Sequence, residues 1–344
     1  MRHKLVLAPG MFCWHRLIAP HFLLRRSVLS GAVALALMLT GVAVVAAGLA
    51  ETESEPRRRW DFGDVQFSND FPSGRLADCR KLGHGEFLAV VRPENQPINQ
   101  SPWYAFKVSS KYTQSILVCL TNTYSPQRGR PWLSHDGMRW VQLAETAYLH
   151  RANSHQATAR LEIGPRPVWL ATQEIVGLKE LGAWMDQKSR LPFVTTEVIG
   201  RSVAERELRQ FVISESAKPN YVFIIGRQHP PEVTGSLGLM SFVDVLTGRT
   251  RLARQFRREF QTVVIPLVNP DGVERGHWRS NLGGVDLNRD WRLFLQPESR
   301  AVSKALLDFA HRPGARPFVF VDFHSTGTNV FYAQPDQEQV FPPN

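Results

Sequence analysis

The stretch YVFIIGRQHPPEVTGSLGLMSFVDVL, residues 221–246, decides how the second half of this chain folds. Its first residues, 221–225, are all apolar, which is typical of a strand buried on both faces of a sheet. Pro230 and Pro231 stiffen the turn that follows, and residues 234–246 then have the apolar spacing of a helix. A buried strand that leads directly into a helix predicts one unit of an α/β fold.

The rest of this half repeats the pattern of strands and helices. The predicted strands are residues 221–225, 263–267 and 318–323, and the predicted helices are residues 174–187, 234–246 and 298–310. Strands that alternate with helices indicate an α/β domain with a mixed, largely parallel sheet flanked by helices. We place this domain at residues 165–344.

Short alternating runs broken by turn residues precede that domain. The predicted strands here are residues 86–91, 104–108, 115–120 and 140–143, and segments rich in proline, glycine and asparagine separate them. This rhythm predicts a small antiparallel β-sandwich domain, which we place at residues 57–155.

An uncharged apolar segment, residues 28–50, follows Arg25 and Arg26. The segment predicts an export signal or, because its 23 residues are long enough to span a bilayer, an amino-terminal membrane anchor. We therefore assign residues 1–50 to a leader, cleaved or retained. The rest of the chain is expected to be exported, either periplasmic or extracellular, or anchored in the cytoplasmic membrane.

The formal charge of +10 is partly a property of that leader. Without the five basic residues that precede the apolar segment, the sequence contains 36 basic and 31 acidic residues. A surplus this small, with no arginine or lysine run interleaved with aromatic residues, predicts a solvated surface. We therefore expect no nucleic-acid partner.

Two cysteines, Cys79 and Cys119, lie beyond the leader. In an oxidising compartment they are able to pair, and otherwise they are buried thiols. Their spacing does not choose between these alternatives.

Polar side chains follow two of the predicted buried strands. His229 and Glu232 come after the strand at 221–225, and His324 comes directly after the strand at 318–323. Ligand groups gather at such strand ends in α/β sheets. Zinc binds imidazole nitrogen and carboxylate oxygen, and a catalytic site uses three protein ligands. The three residues are therefore candidate ligands of one zinc ion, although either histidine taken alone is better explained as a core residue.

Residues 269–291 are dense in guanidinium and amide donors. Asn288 and Arg289 offer forked donors that suit a planar carboxylate. Arg279 supplies a fixed positive charge of the kind that stabilises a developing oxyanion. The alternative is that these arginines make ordinary ion pairs at the surface.

The order of these motifs resembles that of the M14 family of zinc carboxypeptidases over about residues 165–344. The matching segments are His229-Pro-Pro-Glu232, Trp278-Arg279, Gly284-Val-Asp-Leu-Asn-Arg289 and Asp322-Phe-His-Ser325. More loosely, the preceding region resembles the amino-terminal domain of the cytosolic-carboxypeptidase branch. The resemblance implies a carboxypeptidase-like fold that is incomplete at its C-terminus.

Residue roles follow from this resemblance. It implies that His229, Glu232 and His324 bind zinc, and that Asp286 orients a zinc-bound imidazole. It also implies that Asn288 and Arg289 hold the terminal carboxylate of a peptide, and that Arg279 polarises the scissile carbonyl. The implied partners are peptide or protein C-termini, and the implied reaction is hydrolysis of the last peptide bond. With the predicted export, cell-wall peptides are candidate substrates too.

The chain departs from the family in one respect. The family's general-base glutamate lies many tens of residues beyond the third ligand, whereas this sequence has 20 residues after His324 and one glutamate among them, Glu338. We do not assign Glu338 that role, so the general base is absent from the predicted site. We expect a fragment of a longer frame in preference to a catalytically impaired relative.

Three functions remain open at this point. The first is a zinc-dependent metallocarboxypeptidase, the second is a zinc deacylase or amidase on acyl-amino acids, and the third is a peptide-binding pseudoenzyme. Asn288-Arg289 together with Trp278-Arg279 favours the first, because the former matches the end of the substrate and the latter its scissile carbonyl. The identity of the preferred terminal residue cannot be read from the sequence.

Overall fold

The computed structural model describes residues 57–96, 100–328 and 330. The predicted leader, including the apolar segment 28–50, lies outside these residues, and so does Glu338. Within the described ranges, no helix is both long and apolar enough to cross a membrane.

Two sheets make up the first half of the described chain. In chain order their strands are β1 (Arg59–Asp61), β2 (Val65–Ser68), β3 (Asp78–Gly83), β4 (Glu86–Val91), β5 (Ala105–Ser110), β6 (Gln114–Asn122), β7 (Trp132–Ser134), β8 (Val141–Gln142), β9 (Tyr148–His150), β10 (Gln156–Ile163) and β11 (Val168–Ala171). One sheet has the order β1-β2-β5-β11-β7-β8 and the other the order β3-β4-β6-β10-β9. Among these described strands, pairing is antiparallel except between β4 and β6, which run parallel.

The two sheets bury their inner faces against each other. Along β6, buried positions alternate with partly exposed ones, as expected for a strand with one face on a core. The ring centroids of Phe67 in one sheet and Phe87 in the other are 5.1 Å apart, and each residue is at most 1% exposed. The predicted β-sandwich is confirmed as an element of the fold.

The sandwich continues beyond residue 155. Residues 156–163 of β10 pair with β6 along its whole length, and Val168–Ala171 of β11 pairs with β5. Each of these two strands has a neighbouring strand on both sides in its sheet, and the alternation of apolar and polar residues along the sequence does not predict this. The predicted domain boundary between residues 155 and 165 remains a prediction.

Cys79 and Cys119 are free thiols in this fold. Cys79 lies on β3 and Cys119 on β6, and β4 lies between these strands in the sheet. The intervening strand keeps the two sulfur atoms apart, since neighbouring strands are already about 4.8 Å from each other.

A third sheet, with helices on both faces, makes up the second half. Its strands are β12 (Val194–Arg201), β13 (Glu207–Ile213), β14 (Asn220–Gly226), β15 (Gln261–Ile265) and β16 (Arg316–Phe323), and the helices are α1 (Leu178–Ser189), α2 (Val233–Leu246), α3 (Arg251–Glu259), α4 (Pro270–Arg275) and α5 (Pro297–Ala310). The strand order is β12-β13-β15-β14-β16, with β14 parallel to both of its neighbours and β13 antiparallel to β12 and β15. The predicted mixed α/β sheet is confirmed.

Strand β14 is buried at every position because it contributes to two cores. Val222 and Ile224 pack on the side that holds residues of α1 and α2. Tyr221, Phe223 and Ile225 pack on the side that holds residues of α5. The continuous apolar run in the sequence has this physical cause.

Candidate functional site

The candidate site lies where β14 and β16 end side by side. The two strands are parallel, and Gly226 is paired with Phe323 at their carboxyl ends. His229 and Glu232 lie in the turn between β14 and α2, while His324 directly follows β16. The sheet register therefore brings together two segments that are about ninety residues apart in sequence.

A close approach of α2 to the end of β16 completes this placement. A Cβ atom at Gly235 would lie 2.9 Å from the carbonyl of His324, so a side chain does not fit there. The backbone N–H of Gly235 instead donates to the Ser325 hydroxyl at 2.9 Å, and the Thr234 hydroxyl donates to the same oxygen at 2.6 Å. These contacts fix the chain immediately after His324.

His229, Glu232 and His324 converge as the sequence predicts. The Nδ1 atom of His229 lies 2.9 Å from Glu232 Oε1, and Nδ1 of His324 lies 2.7 Å from Glu232 Oε2. One candidate ligand atom from each residue lies within 4.8 Å of the others. Both imidazoles therefore present the same nitrogen to a common point.

The other nitrogen of each ring is held by an aspartate. Nε2 of His229 lies 3.0 Å from Asp286 Oδ1, and Nε2 of His324 lies 2.7 Å from Asp322 Oδ2. A metal-binding histidine usually donates its second N–H to a carboxylate, which fixes the ring and its tautomer. Two imidazole nitrogens and one carboxylate oxygen form a donor set that zinc accepts. The donors and their supports therefore fit a zinc ion.

Asp322, which belongs to the motif Asp322-Phe-His-Ser325, is the hydrogen-bond partner of His324, a role that the sequence did not assign to it. Its Oδ2 atom also accepts a hydrogen bond from Gln228 Nε2 at 2.5 Å. Trp291 Nε1 in turn donates to Gln228 Oε1 at 2.8 Å. The sequence signal for the contact of Asp322 with His324 was their spacing across the end of a strand. No pattern in the residues around Gln228 indicated its contact with Asp322.

Charges within the cluster are strongly coupled. Burial would raise the pKa of Glu232, but His229 and His324 hold it well below its usual range. Burial likewise would raise the pKa of Asp286, and its contacts with His229 and Arg279 lower it. Burial would lower the pKa of His324, but Asp322 and Glu232 raise it to about 10. In the metal-free protein, His324 therefore carries a proton at neutral pH.

The raised pKa of His324 predicts how the stability of the metal-free chain depends on pH. The stabilising charge is fully present below about pH 6.5, the ordinary value, and is lost as pH rises toward about 10. Urea unfolding of the chelator-treated wild type and His324→Gln variant should give a stability difference that shrinks between pH 6.5 and 10. A difference that stays constant over this interval would contradict the proposed charge state.

Arg279 lies against the same cluster. Its Nε atom donates to Asp286 Oδ2 at 2.8 Å, and its Nη1 atom lies 3.9 Å from Glu232 Oε1. The side chain is 10% exposed. Asp286 thus touches both His229 and Arg279, and this single carboxylate fixes the imidazole and the guanidinium relative to each other.

Asn288 and Arg289 lie in a short 3-10 turn, Leu287–Arg289, beside the cluster. Asp286 accepts the backbone N–H of Asn288 at 2.9 Å, and Asn288 Nδ2 lies 3.5 Å from His324 Nε2. The guanidinium of Arg289 is exposed and bonds the carbonyl oxygen of Asn288 at 3.1 Å. The structure therefore places Asn288 at the cluster and leaves Arg289 at its solvent side.

Comparison with known proteins gives matches in sequence and in fold. The profile of a family described as zinc carboxypeptidase matches residues 181–344. Cytosolic carboxypeptidase 6 of Caenorhabditis elegans is 23% identical over 287 residues, covering 76% of this chain and 62% of the relative. Its mouse counterpart is 24% identical over 295 residues, covering 77% of this chain and 54% of the relative. This chain therefore spans between half and two thirds of the length of these relatives.

A solved structure supports the fold over most of the chain. The metallo-carboxypeptidase from Burkholderia cenocepacia superposes with a TM-score of 0.65 at 22% sequence identity. The match covers 76% of this chain and 71% of that structure. Residues 165–344 make up little more than half of the chain, which is less than the matched share. The match therefore includes strands of the β-sandwich as well as the α/β sheet.

The prediction of an exported protein is wrong. The relatives described above are named cytosolic carboxypeptidases, which contradicts a periplasmic, extracellular or membrane-anchored location. The prediction depended on the hydropathy of residues 28–50, which lie outside the described residues. An uncharged apolar run preceded by two arginines satisfies the criterion for a membrane segment by composition alone.

Proposed function

Since residues 181–344 belong to the M14 family of zinc carboxypeptidases, in the cytosolic-carboxypeptidase branch, we propose that this chain is a zinc-dependent metallocarboxypeptidase acting on peptide or protein C-termini. The observation that carries the proposal is the convergence of His229 Nδ1 and His324 Nδ1 on the two oxygens of Glu232. The names of the relatives support cytosolic substrates. Cell-wall peptides depended on export and are not proposed.

In this proposal His229, Glu232 and His324 hold one zinc ion. When bound, zinc polarises a carbonyl and lowers the pKa of a bound water molecule. Asp286 and Asp322 hold the two imidazoles by their Nε2 atoms, so that both Nδ1 atoms face the same position beside Glu232. Such fixed ligands lower the reorganisation needed when substrate arrives.

Arg279 is proposed to bind the scissile carbonyl oxygen. Its guanidinium lies beside the metal ligands and is fixed through Asp286, so its charge is already in place when negative charge develops on that oxygen. Among the described residues after His324 there is no glutamate to take the proton from water. We assign that proton transfer to no residue of the chain.

Asn288 and Arg289 are proposed to bind the terminal carboxylate of the peptide. Asn288 lies at the metal cluster, and the guanidinium of Arg289 is exposed beside it, so a carboxylate is able to approach Arg289 from solvent. Arginine suits this role because its planar donors match both oxygens of a carboxylate. A substrate bound in this way presents its last peptide bond toward the metal cluster.

Substitution of Arg289 tests the carboxylate contact. For Arg289→Ala we expect KM to rise about 10- to 100-fold with kcat little changed, since a hydrogen bond to a charged group contributes about 1.5–3 kcal/mol. The matched control is Arg166→Ala, which removes an exposed arginine far from the site in sequence. Initial rates measured over a range of peptide concentrations give both constants. A fall in kcat at constant KM would argue against the assignment.

Three blocked substrates distinguish the proposed activity from its alternatives. Zinc-loaded chain is incubated with an acyl-dipeptide bearing a free C-terminus, the same dipeptide amidated, and an acyl-amino acid. A carboxypeptidase cleaves the first and discriminates strongly against the second. Cleavage of the acyl-amino acid alone would indicate a deacylase or amidase, and binding of the free dipeptide without any turnover would indicate a peptide-binding protein.

A further inference from the structure

The loop that carries Arg279 is held by a carboxylate from the β-sandwich. Glu94, in the segment between β4 and β5, accepts hydrogen bonds from three successive backbone N–H groups. Its Oε2 atom accepts from Trp278 at 2.7 Å, and its Oε1 atom accepts from Arg279 at 2.9 Å and from Ser280 at 2.7 Å. Backbone donors in this number stabilise the ionised form of a carboxylate.

Asn95 holds the same loop at a second point. The Ser280 hydroxyl donates to Asn95 Oδ1 at 3.1 Å, and Asn95 Nδ2 donates to the carbonyl oxygen of Gly284 at 2.7 Å. Two neighbouring residues of the sandwich therefore contact residues 278–284 through five hydrogen bonds. The separation in sequence is about 185 residues, so this contact exists only in the folded chain.

The loop is also anchored by an indole. Trp278 is fully buried and belongs to the core cluster of the sandwich, and its Nε1 atom donates to the carbonyl oxygen of Trp103 at 2.9 Å. The residue next to it, Arg279, points toward Asp286 and the metal cluster. The backbone N–H of Arg279 therefore donates to the sandwich, while the side chain of Arg279 lies at the candidate site.

We propose that Glu94 and Asn95 are positioning residues for Arg279, so that the β-sandwich contributes to the geometry of the candidate site. This inference rests on the proposed carboxypeptidase function, in which Arg279 binds the scissile carbonyl. Without the Glu94 carboxylate, the three N–H groups lose their acceptor, and the backbone at residues 278–280 is held less firmly. A displacement of the guanidinium by about 1 Å is enough to cost on the order of 100-fold in rate.

Glu94→Gln is the most direct variant because it conserves size. One acceptor oxygen becomes an NH₂ group that faces backbone donors, so at least one hydrogen bond is lost. We expect kcat to fall about 10- to 100-fold, with KM and zinc content close to wild type. The matched control is Glu162→Gln, an exposed glutamate of the same sandwich, which should leave all three quantities unchanged.

A double-mutant cycle separates positioning from a general loss of structure. If Glu94 acts through Arg279, then Glu94→Gln should lower kcat far less in an Arg279→Ala background than in the wild type. Equal effects in both backgrounds would overturn the proposal. Should Glu94→Gln fail to fold, Glu94→Asp and Asn95→Ala enter the same cycle. Glu94→Asp keeps an ionised carboxylate on a shorter side chain, and Asn95→Ala removes the amide without changing the charge.

Hydrogen exchange tests the inference without requiring turnover. The backbone amides of Trp278, Arg279 and Ser280 should exchange about tenfold faster or more in Glu94→Gln than in the wild type, because they lose a charged acceptor. Unchanged exchange at these amides would overturn the proposal even if kcat fell. If the wild type shows no hydrolysis, the proposed function fails, and faster exchange would still establish the contact as the restraint on this loop.

Discussion

Glu232→Gln is expected to remove zinc binding and, with it, all zinc-dependent hydrolysis. Glu232 lies between the two imidazoles, and each of its oxygens is within 3 Å of one Nδ1 atom. Glutamine keeps the shape but removes the negative charge, and its NH₂ group offers no lone pair to a cation. Zinc affinity should fall by more than the roughly 10- to 100-fold that follows loss of an outer hydrogen-bond partner.

Zinc content and zinc affinity are the quantities to measure for this variant. Metal analysis after dialysis should find about one zinc per chain in the wild type and close to none in Glu232→Gln. The control is Glu145→Gln, an exposed glutamate of the sandwich, which should bind zinc like the wild type. Retention of stoichiometric zinc with unchanged affinity in Glu232→Gln would show that the metal binds elsewhere.

Arg279→Ala is expected to lower kcat about 10²- to 10³-fold while leaving zinc bound, a loss typical for one donor to a developing oxyanion. The guanidinium contacts Asp286 and approaches Glu232, but it supplies no ligand atom. His229 keeps its contact with Asp286 in the variant, so the imidazole remains oriented. The effect should therefore appear in the chemical step.

The separation of kcat from zinc content decides this second prediction. Arg279→Lys should recover only part of the activity, since an ammonium group keeps the charge but loses the Nε–H that donates to Asp286. Arg190→Ala, which removes an exposed arginine after α1, serves as the control for loss of one positive charge. A wild-type kcat for Arg279→Ala would contradict the proposed role at the carbonyl.

The sequence was most informative where burial acts on both faces of a strand. The apolar run at residues 221–225 predicts β14, because helices cover both sides of this strand. Its parallel pairing with β16 follows from the alternation of strands and helices, and it brings His229 and His324 to the same edge. Local patterns and general rules about strand ends thus made the three residues candidates, and the resemblance to the M14 motifs selected them as the predicted ligands.

Boundaries and omitted elements show the limits of local patterns. The strand predicted at residues 263–267 runs from Gln261 to Ile265, because Pro266 has no N–H to continue the ladder. Helix α3 was missed, although Thr250 caps its first turn by accepting from the N–H of Ala253. The helix has only three apolar residues among its nine, Leu252, Ala253 and Phe256, but these have helical spacing, so that spacing and the Thr250 cap were both signals.

Long-range contacts were beyond prediction from the residues alone. Nothing near Glu94 indicates that its carboxylate accepts three N–H groups about 185 residues later in the chain. Similarly, the pairing of β10 with β6 over eight residues is not apparent from the residues of either strand. Such contacts depend on strand register and on loop packing, which are properties of the whole fold.

Zinc-edge X-ray absorption on the zinc-loaded full chain tests most directly whether His229, Glu232 and His324 hold the metal. The predicted spectrum contains imidazole nitrogen scatterers at about 2.0–2.1 Å and carboxylate oxygen at about 2.0–2.2 Å. The imidazole signal should decrease in His324→Gln. A sulfur scatterer at about 2.3 Å, or a spectrum without imidazole, would contradict the assigned zinc centre.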